Sequence, residues 1–357
     1  MRKLFLLLVA FFLVALAYDS AEAQINRRNN RRMANFRGFK TKFGGSRRYI
    51  SLGFNVNALN YFGDIAPASN FASTDISFTR PGIGINASLR LGPQFTIRTD
   101  LMYGRISSSD YESADINDAT ARYRYVRNLS FRNDIKEFAA LAVFDFKENS
   151  GTFASRAEFT PYVFGGVSVF HHDPKAQVPD FYYPSLTASP QPLANAGDWV
   201  SLKDLGTEGQ YSDQYAVEPY SNFQLAVPVG LGFRFVANQA IDFSVEFAYR
   251  FLFFDYIDDV SGNYVNLNDL DSDLARAMSD RSLEPTDVRS GDSRNLERVQ
   301  EFIRVDDNGR FAGYGSVPER ADLENPRGDA DDNDAIFITR IQIQYIIGAS
   351  FRRAKYR

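Results

Sequence analysis

The stretch FQLAVPVGLGFRF, Phe223 to Phe235, constrains the fold more than any other part of the chain. Its odd positions, Phe223, Leu225, Val227, Val229, Leu231, Phe233 and Phe235, are all apolar, while Gln224, Ala226, Pro228, Gly230, Gly232 and Arg234 alternate with them. A period of two is the mark of a β-strand with one apolar face. At a rise of roughly 3.3 Å per residue and a tilt of about 45°, such a strand climbs roughly 30 Å, enough to cross a bilayer core.

The pattern recurs along the chain. Ile50, Leu52, Phe54, Val56 and Ala58 predict a first strand, Ile83 to Leu91 a second, and Phe95, Ile97, Leu101 and Tyr103 a third. A fourth lies within Leu129 to Phe146, where Asn133 and Glu137 interrupt the phase and point to a bulge. Val163, Val167 and Val169 belong to a fifth, and the opening stretch is the sixth. Ile241 to Phe253 and Phe337 to Phe351 complete an eight-stranded set. Eight is the smallest usual number for a closed antiparallel transmembrane β-barrel.

Connections alternate in length, and this predicts orientation. Gly92 to Gln94, Lys147 to Glu158 and Val236 to Ala240 are short, whereas those after strands one, three, five and seven are long. Membrane barrels carry short periplasmic turns and long extracellular loops. Arg2 and Lys3, the apolar run Leu4 to Ala17, and Ala21-Glu22-Ala23 read as a signal peptide over residues 1–23, cleaved after Ala23. The barrel is then expected over 49–357 in the outer membrane, with both termini in the periplasm. With no cysteine there is no disulfide or thiolate chemistry, and two adjacent histidines cannot make a His-rich metal site.

Charge is segregated along the chain. Residues 24–48 form an arm with nine basic side chains (Arg27, Arg28, Arg31, Arg32, Arg37, Lys40, Lys42, Arg47 and Arg48) and no acidic one. This arm is a candidate contact for a periplasmic partner or for anionic lipid. Residues 255–334 hold twenty-one acidic against nine basic side chains, an acidic extracellular loop over about 255–335. Opposite the apolar stripes stand small residues, Gly84, Ser88, Gly166, Gly230, Gly232 and Ala248 among them. Interleaved with these are Arg90, Arg98, Asp100, Arg234, Asp242, Glu246, Arg250 and Arg340. A lipocalin would turn its apolar face inward and put a soluble polar face outside. Small residues and opposite charges fit the reverse, a narrow interior filled by ion pairs with the apolar stripes toward lipid.

Several stretches, in order, carry a family resemblance: NYFGDIAP (Asn60 to Pro67), RNLSFRNDIKE (Arg127 to Glu137), TPYVFGGVSVFHHDPKA (Thr160 to Ala176), LGTEGQ (Leu205 to Gln210), VPVGLGFRF (Val227 to Phe235) and FDYIDDVSGNYV (Phe254 to Val265). Together they resemble the PorG-like outer-membrane barrels of Bacteroidetes associated with type IX secretion. The resemblance covers most of Tyr61 to about Val265 and the last strand. It implies a non-catalytic accessory barrel that links a periplasmic ring of PorK and PorN subunits to the outer membrane. It singles out Asp255, Tyr256, Asp258, Asp259 and Ser261 as a family motif. The long basic arm and the enlarged loop after strand seven depart from that pattern.

Other features have a sharp and a bland reading. His171-His172 near Ser168 and Asp173 could serve a lipid hydrolase, but Ser168 falls on the interior face and His171 on the lipid face, so an interfacial turn is expected. DLDSDL (Asp269 to Leu274) and DADDND (Asp329 to Asp334) have carboxylates for Ca²⁺ but lack the glycine and distal Glu of an EF-hand loop, so solvated acids are expected. The tripeptide Arg327 to Asp329 (RGD) reads as chance. Leu267, Leu270, Leu274 and Met278, then Leu296, Val299, Phe302 and Ile303, predict short amphipathic helices packed on the barrel mouth. Asp255 to Ser261 reads as a device that orders the loop through backbone N–H groups. The expectation is a structural or docking outer-membrane barrel without catalysis, cofactor, metal, nucleic acid or small-molecule substrate. The alternatives are a small-solute channel and a lipid-modifying enzyme.

Overall fold

A computed structural model describes residues 48–65, 79–118, 121–185, 188–305, 311–313, 326–331 and 333–347. The predicted signal peptide, the basic arm apart from Arg48, Asp332 and Phe351 lie outside the described residues. Eight long strands run in chain order: β1 (Ile50–Phe62), β2 (Arg80–Arg90), β3 (Phe95–Ser109), β4 (Ser130–Asp145), β5 (Phe159–His171), β6 (Phe223–Val236), β7 (Ile241–Leu252) and β8 (Ala335–Ile346). Each pairs antiparallel with its neighbours in sequence, and β1 pairs with β8. The sheet therefore closes into an eight-stranded barrel without a free edge. Among the described residues, no helix is long and apolar enough to cross a membrane.

The predicted faces are the observed ones, except that Tyr61 and Tyr256, expected among the lipid-facing aromatics at the strand ends, pack into the cap. Phe223, Leu225 and Val167 are more than 60% exposed, and Leu52, Phe54, Ile83, Ile85, Leu101, Ile341 and Ile343 stand on the same outer face. Ser51, Asn55, Asn86, Arg98, Asp100, Glu246, Arg340 and Gln342 are buried inside. An apolar exterior around a polar interior inverts the soluble pattern and is that of a membrane-spanning barrel. On β6, Pro228 has no N–H for the ladder, and the pairing with β5 passes from Ala226↔Ser168 to Val229↔Gly165 without it.

Strand four corrects one expectation. The register of β3 against β4 runs unbroken from Phe95↔Phe144 to Ser109↔Ser130, so no bulge interrupts it. Asn133, Ile135, Glu137, Ala139, Leu141, Val143 and Asp145 form one buried face. The phase is ambiguous in the sequence because this face mixes charged with apolar side chains, and apolar content alone does not separate it from the outer one.

The described parts of the long connections leave the same barrel end and build a cap. A short antiparallel ribbon, Pro174–Gln177 with Trp199–Ser201, extends the β4 edge beyond the barrel. The predicted helices are present but short, Asp273–Ser279 and Leu296–Gln300, with a 3-10 turn at Leu267–Asp269. Ser272 and Asn295 cap the two helices through side-chain oxygens on the N–H groups of Ala275 and Arg298. Val299 packs against Val126, and Met278 joins the main apolar cluster, so both helices face the cap itself.

Candidate functional site

The buried polar side chains form two assemblies, one between the strands and one in the cap. The first fills the membrane-spanning interior. Arg90 and Arg234 both reach Asp145, at 2.8 and 3.0 Å, near the short-turn end. Asp242 there meets Arg156, which comes from the β4–β5 turn, at 2.7 Å. Farther in, Arg98 grips both oxygens of Glu246 and lies 3.2 Å from Asp100. Arg340 binds Asp100, and its Nε donates to Asn57 at 2.8 Å. Tyr162 donates its hydroxyl to Glu246 at 2.5 Å. Arg250 spans to Glu137.

All eight charges named from the sequence thus stand inside, each with an ionic partner. Glu137, Asp145, Arg156 and Tyr162 complete the lattice and were missed. Glu137 and Asp145 share the inner phase of β4, which was the available signal. Arg156 sits in a turn, where no periodicity applies.

Toward the long loops, Leu59, Met102, Ile106, Ile135, Phe170, Leu252, Ile336 and Ile338 fill the lumen as an apolar cluster, with Met102 and Phe170 on either side of Glu137 and Ile336 beside Arg250 in the register. Loop residues Ile65, Ile257, Val260 and Met278 continue it into the cap.

The second assembly is a buried knot in the cap, to which four of the six stretches that carry the resemblance contribute, together with residues outside them such as Tyr220 and Arg327. Asp258 accepts from the backbone N–H of Val260 at 2.9 Å and of Ile65 at 3.2 Å, and from the Tyr61 hydroxyl at 2.5 Å. Asp259 accepts from the hydroxyls of Thr207 and Tyr220. It holds φ at +70°, a conformation open to few residues besides Gly, Asn and Asp. Tyr256 stacks on Tyr220 with ring centroids 5.1 Å apart. Glu208 accepts from the N–H groups of Ser261 and Gly262, each at 3.1 Å. Of the acids expected to order this segment through backbone N–H groups, Asp258 does so, whereas Asp259 is held by side-chain hydroxyls.

Arg327, read as chance, is one of the most buried side chains. It donates to Glu208 Oε1 at 2.8 Å, to the Asp259 carbonyl at 2.6 Å and to the Ser279 carbonyl at 3.2 Å. Arg127 forks onto both oxygens of Asp110 at 2.8 Å and reaches the Asp64 carbonyl. These residues were invisible as a site because their partners lie in different loops.

The remaining candidates disperse. Ser168 faces inward and His171 outward on one strand, so they do not form a pair. His172 is buried, with Nε2 at the Ser221 carbonyl, and burial pushes its imidazole down to about 4. Asp269 accepts from Tyr215, Asp273 pairs with Arg276, and Asp271 is exposed. Among the described residues, no three acidic or histidine side chains converge on a metal position. Arg48 is exposed.

No curated protein matches the sequence. Among solved structures, the chain is similar to Neisserial surface protein A (8% identity, 83% of this chain and 96% of that one, TM-score 0.33). It is also similar to a major outer membrane protein from Thermus thermophilus (9% identity, 84% and 99%, TM-score 0.35). A third is Ail, the attachment invasion locus protein of Yersinia pestis (8% identity, 84% and 97%, TM-score 0.29). In sequence, residues 45–180, which span β1 to β5, match a family described as a domain of unknown function, DUF6089.

Proposed function

We propose that this protein is an outer-membrane barrel with a structural or docking role, acting as an accessory of type IX protein secretion without catalysing a reaction. The observation that carries the structural role is the filled interior, which holds buried ion pairs and an apolar cluster under a folded cap. A solute path would have to break several buried ion pairs, each costly to separate. This weighs against the small-solute channel, and the opposite orientations of Ser168 and His171 weigh against a lipid hydrolase built on them.

The secretion role rests on the sequence resemblance, four of whose stretches meet in one knot. Long loops on one end leave the start of β1 and the end of β8 at the other, which on this reading is the periplasmic end. The basic arm of residues 24–48 is then presented to an acidic periplasmic partner, for which a PorK/PorN-like ring is the candidate; outer-membrane lipid surrounds the barrel. Affinity purification from gently solubilised envelopes tests this. The intact protein is expected to bring down a periplasmic partner, with binding weakened by salt, while a variant lacking Asn26 to Arg47 inserts but loses that partner. Retention of the partner and normal secretion by the truncated barrel would remove the arm from the proposal.

A further inference from the structure

The cap holds a cluster that cannot be satisfied with every acid ionised. The Tyr61 hydroxyl, at the end of β1, lies 2.5 Å from Asp258 Oδ2 and 3.0 Å from Asp334 Oδ1. A phenol has one hydrogen to donate, and an ionised carboxylate has none. Two hydrogen bonds at this oxygen therefore need a second proton, carried by one of the carboxyls. Asp258 already accepts from Ile65 and Val260, as suits an ionised group. Among the described residues, Asp334 accepts a backbone N–H only at Oδ2, from Ile257, which leaves its Oδ1 to carry the proton and donate to Tyr61.

The Arg127 guanidinium favours ionisation of Asp64 and Asp258, but burial outweighs it. Asp255 is buried beside the pair with neither carboxyl oxygen in a well-formed hydrogen bond. Asp64 faces the cluster and accepts from the Asp329 N–H. The nearby cations are already engaged, Arg127 by Asp110 and Arg327 by Glu208, which adds a further negative charge. Burial, then the Asp64 charge, pushes the Asp255 carboxyl up to about 9. Burial also raises Asp64, Asp258 and Asp334 above the usual carboxylate range, and the Asp258 charge adds to the rise at Asp64 and Asp334.

We propose that Asp334, Tyr61 and Asp258 form a shared-proton site that locks the cap onto the barrel mouth, and that loss of the proton at alkaline pH releases the cap. The proton ties together the end of β1, the segment after β7 and the residue before β8, which lie far apart in sequence. The folded cap binds more protons than the released one, so its stability is full below the ordinary carboxylate range. It falls as pH rises through the raised values.

Infrared spectroscopy of the full mature protein in lipid vesicles reads the proton directly. A carboxylic C=O band is expected to persist at neutral pH and to disappear as the pH is made alkaline. Emission of Trp199, the lone tryptophan, reports the cap because Arg132 covers its ring at 3.9 Å. It is expected to shift over the same interval. Asp334→Asn keeps an N–H that can donate to Tyr61, so this variant should lose the share of the neutral-pH band that belongs to Asp334, read as the difference between the two spectra, and hold the cap closed to a pH higher by ~1 unit or more. Absence of the band from the wild type at neutral pH would overturn the proposal, as would identical Trp199 profiles for wild type and Asp334→Asn. Closure of the alkaline wild type by calcium chloride alone would overturn it too, in favour of a cation site.

Discussion

Arg250 on β7 reaches across the lumen to Glu137 on β4, donating from Nε at 3.3 Å and from Nη2 at 3.2 Å to its two carboxylate oxygens. These strands are not neighbours in the sheet, so the pair bridges the barrel rather than lying along its wall. Removing either partner leaves a buried charge alone. Arg250→Leu or Glu137→Leu should each cost roughly 3–5 kcal/mol, whereas the double leucine variant should cost less than the sum. Reversible urea unfolding in vesicles checks this, and simple additivity would contradict direct pairing.

The two faces of β6 make a second contrast. A Cβ on Gly230 would stand 2.5 Å from both the Phe164 ring and the Phe247 carbonyl, so Gly230→Leu should overpack the interior and destabilise the barrel by about 1–3 kcal/mol or more. Val229→Arg, one residue away on the outer face, should cost about 2–4 kcal/mol near the bilayer midplane. Unfolding midpoints of the two variants decide the matter. If both substitutions are neutral, inside and outside have been assigned the wrong way round.

In the cap, Arg327→Met should leave Glu208 without its guanidinium partner and loosen the loops while the barrel stays folded. A loss of roughly 3–5 kcal/mol in cap stability is expected, visible as rapid protease cleavage between Leu252 and Ala335 in protein that still resists SDS when unboiled. Arg327→Lys should rescue only in part, because an ammonium cannot reach Glu208, Asp259 and Ser279 as one planar fork does. Unchanged cleavage in Arg327→Met would mean that the knot does not hold the cap.

What could be read from the sequence follows the range of the forces involved. Period two identifies the strands, and small residues opposite Phe and Val tell inside from outside, because both signals are local. The phase of β4 was not legible, since Glu137 sits inside only by virtue of Arg250, 113 residues away. The knot was less legible still. Arg327 finds Glu208 across 119 residues of chain, and Tyr61 finds Asp334 across 273. Such contacts depend on how loops pack, for which a sequence has no period. Only the unusual run of acids at Asp255 to Asp259 marked the place.

The most direct test of the account is electrical. The lattice, the apolar cluster and the cap together predict a sealed lumen. Purified full-length mature protein, folded and reconstituted in planar bilayers at neutral pH, should therefore produce no ion-conducting steps. Reproducible single-channel conductance from the wild-type protein would contradict a structural, non-conducting barrel and return the protein to the class of small-solute channels.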